Sequence, residues 1–84
     1  MILVELYSKK DCHLCDVAKA VIRRAQSSVP FLLKEINLKE GDELYENFKN
    51  DFPVILMNKN LAYKHRVPEQ DFVNKLQLLQ NGGR

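Results

Sequence analysis

The sequence predicts an α/β fold: one mixed four-stranded sheet with helices on both faces, in the order β-α-β-α-β-β-α. Three observations carry this. Short runs rich in branched and aromatic residues alternate with segments whose apolar residues recur at spacings of three and four. The first such pair, strand then helix, is followed by another strand, which makes a right-handed parallel crossover. Two later strands are separated only by Asn58-Lys59-Asn60, which makes a hairpin.

Each element has its own signals. Ile2 to Tyr7 is nearly continuous in its apolarity, as expected of a strand covered on both faces. Ser8-Lys9-Lys10-Asp11 breaks it, and Asp11 is the expected N-cap of the helix that follows. Leu14, Val17, Ala18, Val21, Ile22 and Ala25 form one apolar stripe. Arg23 and Arg24 sit near the helix end, where cations favour the dipole. Ser27-Ser28-Val29-Pro30 is the exit. Phe31 to Asn37 is the second strand. A short helix, roughly Glu43 to Asn50, presents Leu44, Tyr45 and Phe48. Phe52 to Met57 is the third strand and Leu61 to His65 the fourth. Pro68 fits the first turn of the last helix, with Glu69 and Asp71 in favourable early positions. Phe72, Val73, Leu76 and Leu79 are its inward stripe, and residues 80–84 are a frayed end.

The 84 residues suit one domain, 1–84, with a modest core. No repeat, linker or low-complexity stretch divides them. The net charge of +2, with acids and bases interleaved, gives no expectation of nucleic-acid binding. No apolar run approaches the ~20 residues of a membrane span. Met1 to Leu6 is too short for a secretory signal and contains Glu5. The expectation is therefore an intracellular protein, cytoplasmic unless a targeting segment has been removed, and a monomer.

Both cysteines of the chain lie in Cys12-His13-Leu14-Cys15. A bridge across two residues restrains little of the unfolded chain, so a structural staple is a poor explanation. At a helix start the unpaired N–H groups and the dipole favour a thiolate. Cys15 lies one turn beyond Cys12 on the same face, which brings the two sulfurs within bonding reach. Lys9, Lys10 and a protonated His13 favour the Cys12 thiolate, whereas Asp11 and Asp16 oppose it. Half of a metal site is the competing reading, because a structural zinc normally takes four ligands and a second such motif is absent. Two chains sharing a metal or an iron–sulfur cluster remain open, as does a binding domain with a vestigial dithiol.

With these residues in view, the chain resembles the glutaredoxin-like branch of the thioredoxin superfamily. Three features carry the resemblance over its whole length. They are the strand before Cys12-His13-Leu14-Cys15, the aromatic Tyr7 five residues ahead of Cys12, and Phe52-Pro53-Val54 where the superfamily places a cis-proline facing its dithiol. The resemblance implies a thioredoxin-like fold and thiol–disulfide exchange. Cys12 would be the nucleophile and Cys15 the resolving thiol. Pro53 would shape the substrate groove, and Phe52 would offer backbone contacts. Lys9 or Lys10 would meet a carboxylate of the substrate. Glu5, an acid inside the first strand, is a candidate proton acceptor for Cys15. His13 is a candidate to tune Cys12. Substrates would be protein or low-molecular-weight disulfides, with no bound cofactor, and glutathione or another thiol system would be the reductant.

The chain departs from glutaredoxins in three places, the first being its dithiol linker, His13-Leu14 where glutaredoxins carry Pro-Tyr. Asp51-Phe52-Pro53 replaces Thr-Val-Pro, and Tyr63-Lys64-His65-Arg66-Val67-Pro68 has no glycine where a Gly-Gly pair and a following acid hold glutathione.

Overall fold

The computed structural model describes residues 1–82, so the end of the frayed tail expected over 80–84 lies outside the described residues. The elements are β1 (Leu3–Ser8), α1 (His13–Ser28), β2 (Leu32–Asn37), α2 (Glu43–Phe48), β3 (Val54–Met57), β4 (Asn60–Lys64) and α3 (Glu69–Gln80). The strands form one sheet in the order β2-β1-β3-β4. β1 and β2 are parallel, whereas β3 pairs antiparallel with both β1 and β4.

Alternation along β1 divides the interior. Val4 and Leu6 point to one face with Ile55 and Met57 of β3, against Ala18, Ile22 and Ala25 of α1 and Phe72 and Leu76 of α3. The two alanines are almost fully buried. Phe72 stands edge-on to both Phe31 and Tyr63, with ring centroids 5.9 and 6.0 Å apart. Such geometry suits the aromatic quadrupole. Tyr7 points to the opposite face, where Tyr45 and Phe48 of α2 lie over it. Six residues make a thin cover, and α2 has no buried residue of its own. Leu32 and Leu61 therefore stay more than half exposed on the edge strands.

Two local expectations are corrected. Asp11 is not the cap of α1. It takes a left-handed φ of 54°, and the extended residue at the cap position is Cys12. Pro68 is likewise the cap residue of α3 rather than part of its first turn, so the helix starts at Glu69. Strand ends also shift. β2 starts after Phe31 because that ring turns into the core, and β3 starts after Pro53, which has no N–H for the ladder. The β3–β4 turn is tight because Asn58 and Lys59 both adopt positive φ, at 50° and 71°, the geometry a two-residue hairpin requires. Asn58 also exchanges hydrogen bonds with Leu3: its N–H donates to the Leu3 carbonyl at 2.8 Å, and its Oδ1 accepts from the Leu3 N–H at 2.9 Å. This pins the hairpin tip to the start of β1.

Candidate active site

The dithiol stands where β1 ends and α1 begins. Cys12 and Cys15 are joined by a disulfide, with Cα atoms 5.2 Å apart. Cys12 Sγ accepts the backbone N–H of Cys15 at 3.1 Å, and the Cys12 carbonyl accepts from the Asp16 N–H at 3.2 Å. The sulfur thus does what a serine or aspartate oxygen does at most helix starts. The same N–H favours negative charge on that sulfur once the disulfide opens. The two cysteines are unequal. Cys15 is only 2% exposed and packs with Leu38 and Phe52, whereas Cys12 is partly exposed at the rim of that cluster.

The Phe52–Pro53 peptide bond is cis. Phe52 is buried against the dithiol cluster, with its ring 5.4 Å from that of Tyr45. The Pro53 carbonyl accepts the His65 N–H at 2.9 Å, which holds the loop after β4 beside the proline. His65 is in the left-handed region, at φ 67°. The turn that glycine would make there is present, although the sequence puts histidine in it.

Lys9 and Lys10 line a hollow of about 570 Å³ together with Lys39, Leu38 and Tyr45, and with two acids, Asp11 and Glu40. His13 is the exposed first residue of α1. Glu5 is 2% exposed, on the same face of β1 as Tyr7. Its Oε2 accepts from the Tyr7 hydroxyl and from Lys59 Nζ, each at 3.3 Å. Its Oε1 has no hydrogen-bond partner among the described residues. Tyr7, which donates to Glu5, also packs against the cluster that holds Cys15. Burial, and then the charge of Glu5, push the Tyr7 phenol above its ordinary pKa, so it stays a proton donor to that carboxylate.

The sequence reading did not single out Lys59, Leu38, Tyr45 or Phe48 at the site. Tyr45 and Phe48 carried a signal, since their spacing of three puts both on one side of α2. Lys59 carried none, because only the left-handed turn brings it to Glu5. Among the described residues, no group of three or more His, Cys, Asp and Glu side chains gathers as metal ligands.

A parallel β-α-β unit, a cysteine pair at the start of its helix and a cis Phe52–Pro53 bond whose phenylalanine packs with Cys15 together define a thioredoxin-like fold. Comparison with known proteins narrows this. Residues 3–77 match the model of the family described as Glutaredoxin-like domain (DUF836), and the chain belongs to that family. A curated glutaredoxin-like protein of Dictyostelium discoideum is 31% identical over 82 residues, covering 90% of this chain and 76% of its own. Among solved structures, a Nitrosomonas europaea protein superposes with a TM-score of 0.74 at 21% identity, covering 89% of this chain and 91% of its own. The NrdH-redoxin of Escherichia coli, described as a glutaredoxin-like protein with a thioredoxin-like activity profile, gives 0.57 at 23% identity, covering 88% and 93%. Both structural likenesses establish the fold.

Proposed function

We propose that the protein is a thiol–disulfide oxidoreductase that reduces disulfides through a mixed-disulfide intermediate. The observation that carries this is the inequality of the two cysteines. Cys12 is accessible and hydrogen-bonded at the helix start, while Cys15 is buried within bonding distance of it.

In the reduced protein the Cys12 thiolate attacks one sulfur of a substrate disulfide. The Cys12–substrate bond forms, the substrate S–S bond breaks, and the first substrate thiol leaves with a proton from solvent. Cys15 then loses its proton and attacks Cys12 Sγ. The mixed disulfide breaks, the second substrate thiol leaves, and two electrons have passed to substrate. A thiol donor, glutathione or another dithiol, reverses the sequence to restore the protein. Phe52 packs with Cys15 where Cys12 meets the same cluster, and the buried Pro53 after it fixes the bend through its cis bond. Lys9 and Lys10 offer positive charge to a carboxylate beside the disulfide. Glu5, buried and hydrogen-bonded to Tyr7 of the dithiol cluster, is the candidate acceptor for the Cys15 proton.

Trapping tests the assignment. With Cys15→Ser, incubation with a peptide disulfide should accumulate a covalent adduct on Cys12, seen by mass spectrometry. With Cys12→Ser the adduct should be at least ten-fold slower, on the order of what burial of the remaining thiol implies. Equal adduct formation by the two variants would overturn the division of roles.

A further inference from the structure

We infer that the sheet face turned away from α1 and α3 is a docking surface for an amphipathic helix of a partner protein, one whose leucine-type stripe is flanked by acidic residues. The inference goes beyond the exchange reaction and does not depend on it.

The strand register assembles the surface. Leu3 stands beside Leu32, and Leu56 stands between Leu61 and Glu5. Paired residues share a face, so the four leucines lie on the side of Glu5 and Tyr7, opposite the core packed on α1 and α3. Each of the four strands contributes one of them. The short helix α2 covers this side only at the dithiol end, where Tyr45 and Phe48 pack with Tyr7 and Ile36. Neither core cluster includes Leu3, Leu32, Leu56 or Leu61. Leu32 and Leu61 are more than half exposed, and Leu3 and Leu56 are partly exposed. The Leu3–Leu32 pair is at the far end of β1 from the cysteines, so the surface is separate from the exchange site.

A solvated sheet face carries polar residues at its outward positions, and a parallel pair such as β1–β2 is normally covered on both faces. A row of leucines suits a face with another layer on it. In α/β domains that layer is helical, because a helix fits the twisted sheet along one apolar stripe. With six residues, α2 is too short to supply it.

Charge narrows the choice of helix. Lys34 pairs with Glu5 in the register and so lies on this face. Lys59 reaches the same face and offsets the buried Glu5, and Lys64 is offset by Asp51. Glu35, on the other side of β2, is taken by Arg23 and Lys19. Among the described residues Lys34 forms no ion pair and is the uncompensated charge of the face. A second copy would bring the same lysine to the same surface. A leucine stripe bordered by carboxylates complements it instead.

The test uses designed peptides of about 14 residues, long enough at ~1.5 Å per residue to cross the sheet. Each carries one leucine stripe, is held helical by a side-chain cross-link, and has glutamate, glutamine or lysine flanks. Binding to the full chain is followed by methyl NMR up to about millimolar peptide. The glutamate-flanked peptide should shift the methyls of Leu3, Leu32, Leu56 and Leu61 and leave those of Leu6 and Leu76 in place. At low salt it should bind about ten-fold more tightly than the lysine-flanked one, and the gap should narrow as salt is added. Lys34→Glu should invert that order. Leu61→Ser, at an exposed position, should weaken all three peptides about ten-fold. The order of affinities is a ratio within one variant, so partial unfolding cannot imitate its inversion. Absence of binding by every peptide would overturn the inference, as would equal affinities or an order that survives Lys34→Glu. Two further results would overturn it by naming another occupant. One is binding to phosphatidylserine vesicles that shifts these methyls while no peptide does. The other is self-association of the protein through these leucines that the glutamate-flanked peptide does not displace.

Discussion

At the scale of single residues, Cys12 and Glu5 hold the two unusual positions. Cys12 replaces an oxygen-bearing cap with sulfur, so the residue that ends the turn is also the proposed nucleophile. Glu5 buries a carboxyl in the central strand, where only Lys59 offers opposite charge among the described ion pairs. Burying a charge is costly unless it is paired, and removing one partner leaves that cost uncompensated. Lys59 is itself 70% exposed, so water screens the pair and its net worth is small. Lys59→Met should therefore lower unfolding stability by about 1 kcal/mol, whereas Glu5→Leu should be neutral or stabilising. Urea unfolding of the two variants checks this, and a more stable Lys59→Met would contradict it. The place of Glu5 in an apolar strand was legible, but its burial was not, because a one-residue slip in register reverses its face. Its partner was not legible either, because Lys59 is 54 residues away in sequence and a left-handed turn delivers it.

At the scale of elements, charge fastens the periphery. Edge strand β2 is held to α1 through Glu35, which meets Arg23 at 2.9 Å and Lys19 at 3.5 Å. The hydrogen bond from Arg23 holds the Glu35 carboxyl below its ordinary pKa, against the opposing effect of burial. Asp71 at the start of α3 is also lowered, chiefly by the Tyr63 hydroxyl. A carboxyl lowered in the folded state contributes stability above its unfolded pKa and loses it as pH falls through the folded value. Stability should therefore decline as pH drops below the ordinary carboxylate values of 4.5 and 3.8. Glu35→Gln should flatten part of that decline in melting temperatures taken between about pH 7 and pH 3. An unchanged slope would show that Glu35 is not ion-paired in solution. Element order and type were readable because short branched and aromatic runs mark the strands and spacings of three and four mark the helices. The caps were not. Asp11 is the better capping side chain by propensity, but its left-handed backbone hands the position to Cys12. The left-handed turn at His65 was hidden for the same reason: the residue type that usually marks such a turn is missing.

At the scale of the whole molecule, the sheet brings three separate stretches to one end: the Cys12–Cys15 turn, the Phe52–Pro53 bend and the loop beginning at His65. Lys9, Lys10 and Lys39 share a hollow with Asp11 and Glu40, and Leu14 and Val17 share an apolar groove with Arg66 and Val67. The cysteine motif and the proline could be read from the sequence and assigned to one site by resemblance. The groove could not, since Val17 looks like any other member of the α1 stripe until the loop fails to cover it. The central claim is that Cys12 and Cys15 work as one two-electron couple. Equilibrating the protein in glutathione buffers of graded poise, with the thiols counted by mass spectrometry, tests it most directly. The account predicts a single two-electron transition between reduced dithiol and intramolecular disulfide, at a potential between about −300 and −120 mV. Absence of an intramolecular disulfide at every poise would contradict it.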